Sequence, residues 1–414
     1  MNTCYKKRRN RIFSILENCS IVILFSGSPI RKSADKFYDF KVNSNFFYIT
    51  GLERQNIIYM AIKSKNNIEE MIFIEKPDEV SEKWSGKLLR EDEAYEISGV
   101  EKIYYLDEFE NHFSKLVDRK KMNSLHVDLE NWGFNNILSN AQNFVSKIKR
   151  LYPHLQIKDL YYEICEMRKI KDEIELEKLG KAIDVSNEAF LYMVENVEPG
   201  MKEYELEAYY EFKVKMKHTR PSLKTIVASS NNATILHYTS NTAEIRDGDL
   251  LLFDFGVEYK GYCSDITRTI PINGKYTERQ KKIYNIVLEA NREAIKMARP
   301  NITINDLNNI TKSVLFDGCK KIGLVQDIDQ LNRYYYHGVS HFLGIDVHDV
   351  GDREGVLKEG MVITVEPGLY IEEEEIGIRI EDDILITKEG SINLTEKIIK
   401  DIEDIEYYMN KYKL

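Results

Sequence analysis

An aspartate sits inside an apolar run at Leu250-Leu-Leu-Phe-Asp254-Phe-Gly-Val257. A carboxylate in such a strand is costly unless its charge is paired or bound to a cation. A second aspartate, Asp265, lies in the strand-like stretch Tyr262-Cys-Ser-Asp265-Ile-Thr-Arg268, and Glu258-Tyr-Lys-Gly261 between the two reads as a turn. With Tyr259 and Lys260 as the turn residues, the hairpin register sets Asp254 directly opposite Asp265, their Cβ atoms about 5 Å apart on one face. Two facing carboxylates repel, and a divalent cation between them removes the repulsion. An ion pair between Asp254 and Arg268, or a turn capped by Asp254, accounts for that residue equally well.

The later part of the chain adds further candidates. His337-Gly-Val-Ser-His341 is followed by Phe-Leu-Gly-Ile-Asp-Val-His348. Histidines four apart on a helix make a zinc pair, but Gly338, Gly344 and the β-branched residues around them favour strand or loop. Met361-Val-Ile-Thr-Val-Glu366 ends an apolar strand on a carboxylate, and Arg379 and Glu381 in Ile376-Gly-Ile-Arg379-Ile-Glu381 share a strand face. An Arg–Glu surface pair is the blander account of the latter, and the run Glu372 to Glu375 reads as a solvated loop. Asp254, Asp265, His341, Glu366 and Glu381 together supply four carboxylates and one imidazole. Such a set favours manganese, cobalt, iron or zinc over a thiolate-bound structural zinc. Four negative charges balance two divalent cations, and water between two such ions loses a proton readily enough to act as a nucleophile near neutral pH. The chemistry this suits is metal-assisted hydrolysis of an amide.

These residues need elements to hold them. A chain of 414 residues exceeds one ordinary core and calls for two or three domains. Residues 1–160 read as an α/β domain, with β-rich runs at Ile21–Phe25, Ile57–Ile62, Met71–Ile74 and Leu125–Leu129 and helical patterns including Asn135–Leu151. From 161 to 414 the order is helix, helix, strands, then helix, helix, strands, which suggests a duplicated unit. The first long helix follows Lys171-Asp172 and stops at Glu198-Pro-Gly200, and the second runs over about 203–217. Thr277 with Gln280 forms a capping box for the third, and Asn305 can cap the fourth.

Composition narrows the class. Hydrophobic residues make up 43% and charged residues 30% of the chain, which is a globular balance. The net charge of −10 argues against a general nucleic-acid binder, which needs a basic face. No stretch reaches the roughly 20 apolar residues of a membrane span. Lys6-Lys-Arg-Arg9 before apolar residues imitates a secretory leader, yet Glu17 and Asn18 interrupt the run and no small-residue cleavage site follows, so a first helix leading into a buried strand is expected. The cysteines Cys4, Cys19, Cys165, Cys263 and Cys319 are scattered, odd in number and without a CxxC pair, which fits a reducing cytoplasm.

The carrying segments resemble the creatinase, prolidase and methionine aminopeptidase family of pita-bread metallopeptidases, and within it the aminopeptidase P branch. They are Ile235-Leu-His237-Tyr-Thr, Leu252-Phe-Asp254-Phe-Gly, Ser264-Asp265-Ile-Thr-Arg-Thr, His337-Gly-Val-Ser-His341, Val365-Glu366-Pro-Gly-Leu-Tyr370 and Ile378-Arg379-Ile-Glu381-Asp, in that order through the second domain. Phe46-Phe-Tyr-Ile-Thr-Gly51 and Ser81-Glu-Lys-Trp84-Ser-Gly86 resemble the N-terminal domain of the same branch. The resemblance implies a dinuclear site, most typically manganese, with Asp254 at one metal, Asp265 and Glu381 bridging, His341 and Glu366 at the other, and Glu366 moving the proton. It assigns His237, His337, His348 and Arg379 to orienting substrate and ligands. It implies peptides with proline second as substrates, with His237, His348, Tyr370 and Trp84 as contacts, and a homodimer or homotetramer. The shape of proline, which has no N–H, suits recognition by aromatic residues. A prolidase restricted to dipeptides shares the same metal motif, and a non-enzymatic binding protein on the scaffold would be expected to have lost ligands, whereas all five are present.

Overall fold

The apolar run Ser20–Phe25 (β1) lies within a six-stranded mixed sheet in the computed structural model of this protein, which describes residues 2–412 apart from Asn66, Lys121, Trp132 and Asn135. Helix α1 (Asn2–Ile15) precedes it, as the reading of the N-terminal segment anticipates. The other strands are β2 (Ile58–Ser64), β3 (Asn67–Ile74), β4 (Lys102–Tyr105), β5 (Ser124–Val127) and β6 (Gln156–Asp159), in the order β4-β3-β2-β1-β5-β6. Pairing is antiparallel among β1, β2 and β3 and parallel elsewhere. The two-residue period of a strand turns Ile21, Ile23, Met60, Ile62, Met71 and Phe73 to one face. Phe109, Phe113 and Val117 of α2 (Phe109–Lys120) and Val145 and Ile148 of α3 (Asn140–Leu151) pack there. The α3 pattern is shorter than its sequence suggests, because Ser139 and Gln142 form a capping box that starts the helix at Asn140; Asn135 lies outside the described residues.

The chain divides into two units, Met1–Arg168 and Lys169–Leu414. Helix α4 (Tyr161–Arg168, 8 residues) goes with the first unit, past the boundary expected after residue 160.

The second unit repeats its pattern. Helices α5 (Glu173–Glu195) and α6 (Glu203–Met216) precede β7 (Ile226–Ser229), β8 (Leu250–Phe255), β9 (Val257–Tyr259), β10 (Tyr262–Cys263) and β11 (Ile266–Pro271). Helices α7 (Glu278–Met297) and α8 (Ile304–Lys321) then precede β12 (Val362–Val365), β13 (Gly368–Ile371), β14 (Ile376–Arg379), β15 (Asp382–Ile386) and β16 (Ser391–Asn393), and α9 (Ile402–Tyr412) follows. Asp172 with Glu175 caps α5, and Thr277 with Gln280 caps α7. Thr303, not Asn305, caps α8: its hydroxyl accepts from the Asp306 N–H while Asp306 answers with its carboxylate. Two small sheets result, β7-β8-β11 and β12-β15-β16, one from each half. Stacked Phe190 and Phe255, with ring centroids 5.0 Å apart, bind α5 to β8, while Ala294, Leu307, Val339, Ile363 and Ile384 form a core in the second half.

The hairpin differs from its expected register. Lys260 (φ 48°) and Gly261 (φ 79°) are the turn residues, and the left-handed conformation at both positions matches a tight hairpin turn. Asp254 consequently pairs with Thr267, and Tyr259 with Tyr262. Asp265 falls two residues before Thr267, so it is diagonal to Asp254 rather than opposite it. The ladder breaks there, with the Val257 N–H donating to the Ser264 hydroxyl at 3.0 Å. The chain approaches β8 so closely at this point that a Cβ on Gly256 would overlap the Ser264 carbonyl oxygen. Arg268 anchors the same strand, fully buried, donating to the Thr267 and Glu381 carbonyls, to Ile398 and Ile399, and to Asp382 at 2.8 Å. Burial works against charge on Asp382, yet Arg268 and Lys400 hold its carboxyl below the ordinary range.

Gly256→Ala tests this close approach. Overpacking against backbone should cost about 3 kcal/mol and lower the melting temperature by roughly 5–10 °C. An unchanged thermal melt would mean that Ser264 yields without cost.

Candidate active site

Asp254, Asp265, His341, Glu366 and Glu381 line one cavity of about 460 Å³, together with His237, His337, His348 and Arg379. Each ligand candidate has its own support. Asp254 projects from β8 and accepts from the Arg379 Nη2 at 2.6 Å. Asp265 follows β10, its backbone N–H donating to the Asp383 carboxylate at 3.3 Å. Glu366 follows β12, its N–H bound to the Val339 carbonyl at 2.8 Å. Glu381 joins β14 to β15, its N–H bound to the Thr267 carbonyl and its carboxylate accepting from the Thr267 hydroxyl at 2.6 Å. The two expected alternatives for Asp254 do not occur: Arg268 goes to Asp382, and Arg379 is the partner.

His341 is oriented for ligation. Its Nδ1 lies 3.0 Å from the Phe342 carbonyl, which can only accept, so Nδ1 carries a proton. Nε2 is left facing Asp265 at 3.4 Å, Glu366 at 3.7 Å and Glu381 at 3.9 Å. Asp265, His341 and Glu381 each present one ligand atom within 4.8 Å of the others. Asp254 and Glu366 lie outside that tight trio but border the same space, and Asp254 Oδ1 is buried without a hydrogen-bond partner.

This arrangement is hard on negative charge. Burial first, then Asp254 and Glu366, push the Asp265 carboxyl well above its usual range. Burial first, then Asp265 and Asp254, do the same to Glu381. Glu366 is pushed up to about 8, chiefly by burial and then by Glu381, against the pull of His341 and Arg379. A divalent metal fits this donor set. Bound there, it would relieve the repulsion, and Asp254 Oδ1 and His341 Nε2 are free to act as its ligands.

The histidines divide into two kinds. His337 has both nitrogens engaged: Nδ1 donates to the Gly338 carbonyl at 2.8 Å, and Nε2 accepts from the Tyr370 hydroxyl at 2.8 Å. That hydroxyl in turn accepts from Arg379 Nη1 at 3.2 Å. Burial and the neighbouring guanidinium bring His337 down to about 4, so it is neutral at pH 7. His348 is also brought down to about 4, by burial and then by His341, whose ring centroid is 4.3 Å away. His237 is exposed on the cavity wall.

Two expected substrate contacts are placed elsewhere. Tyr370 is buried behind the cavity, where it orders His337 and Arg379, and does not line it. Trp84, on the short helix Glu79–Ser85 of the first unit, is 89% exposed. Thr267 went unassigned in the sequence although it serves both Glu381 and Arg379, through bonds of 2.6 and 3.1 Å. Its position two residues after Asp265, on the same face, was the available signal. Ser222, Leu223, Lys224 and Arg353 also line the cavity, and no spacing pointed to them.

Residues 177–388 match metallopeptidase family M24, and residues 5–126 match the aminopeptidase P N-terminal domain. The Xaa-Pro aminopeptidase of Escherichia coli (strain K12) is 36% identical, the alignment covering 98% of this chain and 97% of that one. The E. coli aminopeptidase P structure with the inhibitor Pro-Leu superimposes with a TM-score of 0.91 at 34% identity, covering 100% of this chain and 99% of the other. A Bacillus anthracis structure assigned only provisionally as an aminopeptidase P gives a TM-score of 0.98 at 44% identity, with coverage of 100% and 99%. The chain belongs to metallopeptidase family M24, in its aminopeptidase P branch, with an N-terminal α/β domain and a pita-bread domain carrying the cavity.

Proposed function

We propose that this protein is a Xaa-Pro aminopeptidase, releasing the first residue from peptides with proline second. The observation that carries the reading is the meeting of Asp254, Asp265, His341, Glu366 and Glu381 in one cavity, on a chain that matches Xaa-Pro aminopeptidases along 98% of its length. The aminopeptidase P N-terminal domain favours this over a dipeptide-restricted prolidase.

Asp254, Asp265, His341, Glu366 and Glu381 would hold two divalent ions, with manganese the metal of choice and cobalt, zinc or iron also compatible with the donors. Bound metal supplies a readily deprotonated water and polarises the scissile carbonyl. Glu366, ionised once metal is held beside it, would take a proton from the attacking water and return it to the departing proline nitrogen. His237 and His348 border the space where the carbonyl oxygen would gain charge and can each donate an N–H to it. His337 has no nitrogen to spare, so it acts by fixing the wall beside Glu366, 3.9 Å from its carboxylate. Arg379 binds Asp254, Thr267 and Tyr370 at once, which keeps Asp254 facing the metal. A homodimer or homotetramer and a cytoplasmic location complete the proposal. The location is supported by free cysteines at all five positions.

Kinetics on Xaa-Pro, Xaa-Pro-Xaa and Xaa-Ala-Xaa peptides with manganese present test the specificity. Turnover of the Xaa-Pro-Xaa tripeptide, with Xaa-Ala-Xaa at least about a hundredfold slower, is the expected outcome; a chain that cleaves only the dipeptide is a prolidase. Glu366→Gln should lower kcat by roughly 10²–10⁴ at an unchanged melting temperature, and wild-type turnover in that variant would remove Glu366 from the mechanism. Metal removal should abolish activity and expose a pH dependence of stability. Glu366 is raised from 4.5 to about 8 in the metal-free fold, so across that window the folded chain keeps a proton that the unfolded chain has released. Stability of the metal-free protein should therefore fall as pH rises from 5 to 8, and manganese should remove the slope. Melting curves that are flat in pH without metal would contradict it.

A further inference from the structure

Glu203 lies outside the cavity, at the first position of α6, and is completely buried. Its carboxylate accepts from five donors on four residues. Oε1 takes the Ser229 N–H and hydroxyl, both at 2.8 Å, and the Asn232 amide at 3.1 Å. Oε2 takes the Tyr238 hydroxyl at 2.8 Å and the Ala243 N–H at 2.9 Å. The Glu203 N–H completes the clasp by donating to the Ala243 carbonyl at 3.0 Å. All four partners fall within residues 229–243, and the same segment puts Leu236, His237 and Thr239 on the cavity wall. His237 is exposed and makes no hydrogen bond of its own among the described residues, so its place is set by the backbone that carries it. That backbone is held from both sides of His237, at Asn232 and Tyr238, by one anion.

We propose that Glu203 is a positioning residue for peptide hydrolysis, acting through His237. This rests on the aminopeptidase reading. The carboxylate form is essential to the clasp. In an amide, one of the two terminal atoms becomes an NH₂ group. Whichever way it turns, it faces a backbone N–H, of Ser229 or of Ala243, which can only donate and so loses its acceptor; the hydroxyl on that side can reverse to accept, but the backbone N–H cannot. Glu203→Gln therefore opens the clasp without changing its volume. Tyr238→Phe and Asn232→Ala each remove a single donor and leave the carboxylate in place.

The test combines hydrogen exchange of the full-length protein, with and without manganese, and a double-mutant cycle on an Xaa-Pro-Xaa substrate. In Glu203→Gln the amides of residues 230–243 should exchange about tenfold faster while those of β8, β11 and β14 stay as in wild type. kcat/KM should fall about tenfold with metal content unchanged. Adding Glu203→Gln to His237→Ala should cost less than about twofold further, because one residue acts through the other. Unchanged exchange, or a loss that multiplies in full onto His237→Ala, overturns the proposal. If Glu203→Gln does not fold, the single-donor variants decide: two- to threefold faster exchange of the same amides supports the clasp, and no change in either variant overturns it. A wild-type protein that cleaves no Xaa-Pro peptide overturns the aminopeptidase reading by itself, separately from any exchange result.

Discussion

Mutual repulsion among four carboxylates governs the second unit. Asp254, Asp265 and Glu381 are nearly inaccessible to solvent, and Glu366 is only partly accessible. Charges that close and that dry are tolerated only where something answers them. The protein answers in part. Arg379 is placed against Asp254, Thr267 against Glu381, and a backbone N–H against Asp383 beside them. The remainder is left for metal, as the raised carboxyls and the bare oxygen of Asp254 record.

Both halves of the unit bring carboxylates to this cavity. The first half contributes Asp254 and Asp265 from a hairpin, and the second contributes His341, Glu366 and Glu381 from a loop and two strand ends. Thr267 and Arg268 stitch the halves together, one by its hydroxyl and the other by its guanidinium, both reaching the peptide around Glu381. Neighbouring residues on β11 therefore divide the work: Thr267 points to the site, and Arg268 points away into a buried ion pair with Asp382. The alternation of a strand makes this division possible.

The five residues that meet in the cavity and the helix pairs were legible in the sequence, because a carboxylate at the end of an apolar run and a capping box are local signals. The hairpin register was not. Moving the turn by one residue, from Tyr259-Lys260 to Lys260-Gly261, shifted Asp254 from Asp265 to Thr267, and only backbone conformation tells the two apart. Tyr370 looked like a substrate contact because aromatic residues suit proline, but its hydroxyl is spent on His337 and Arg379. Glu203 carried no signal at all. Its partners lie 26 to 40 residues further on, in a segment without regular periodicity, and a glutamate opening a helix is an ordinary surface choice.

Arg268 has a consequence for biosynthesis. Its guanidinium closes on carbonyls of Ile398 and Ile399, some 130 residues further along the chain, so those two acceptors reach β11 only after the rest of the unit has been made, although β11 already pairs with β8. Contacts this distant in sequence form late. A chain still short of them keeps the β8–β11 pairing but leaves the Arg268 guanidinium without those acceptors. The acidic cavity is likewise complete only once Glu366 and Glu381, far beyond β11 in sequence, have joined Asp254 and Asp265.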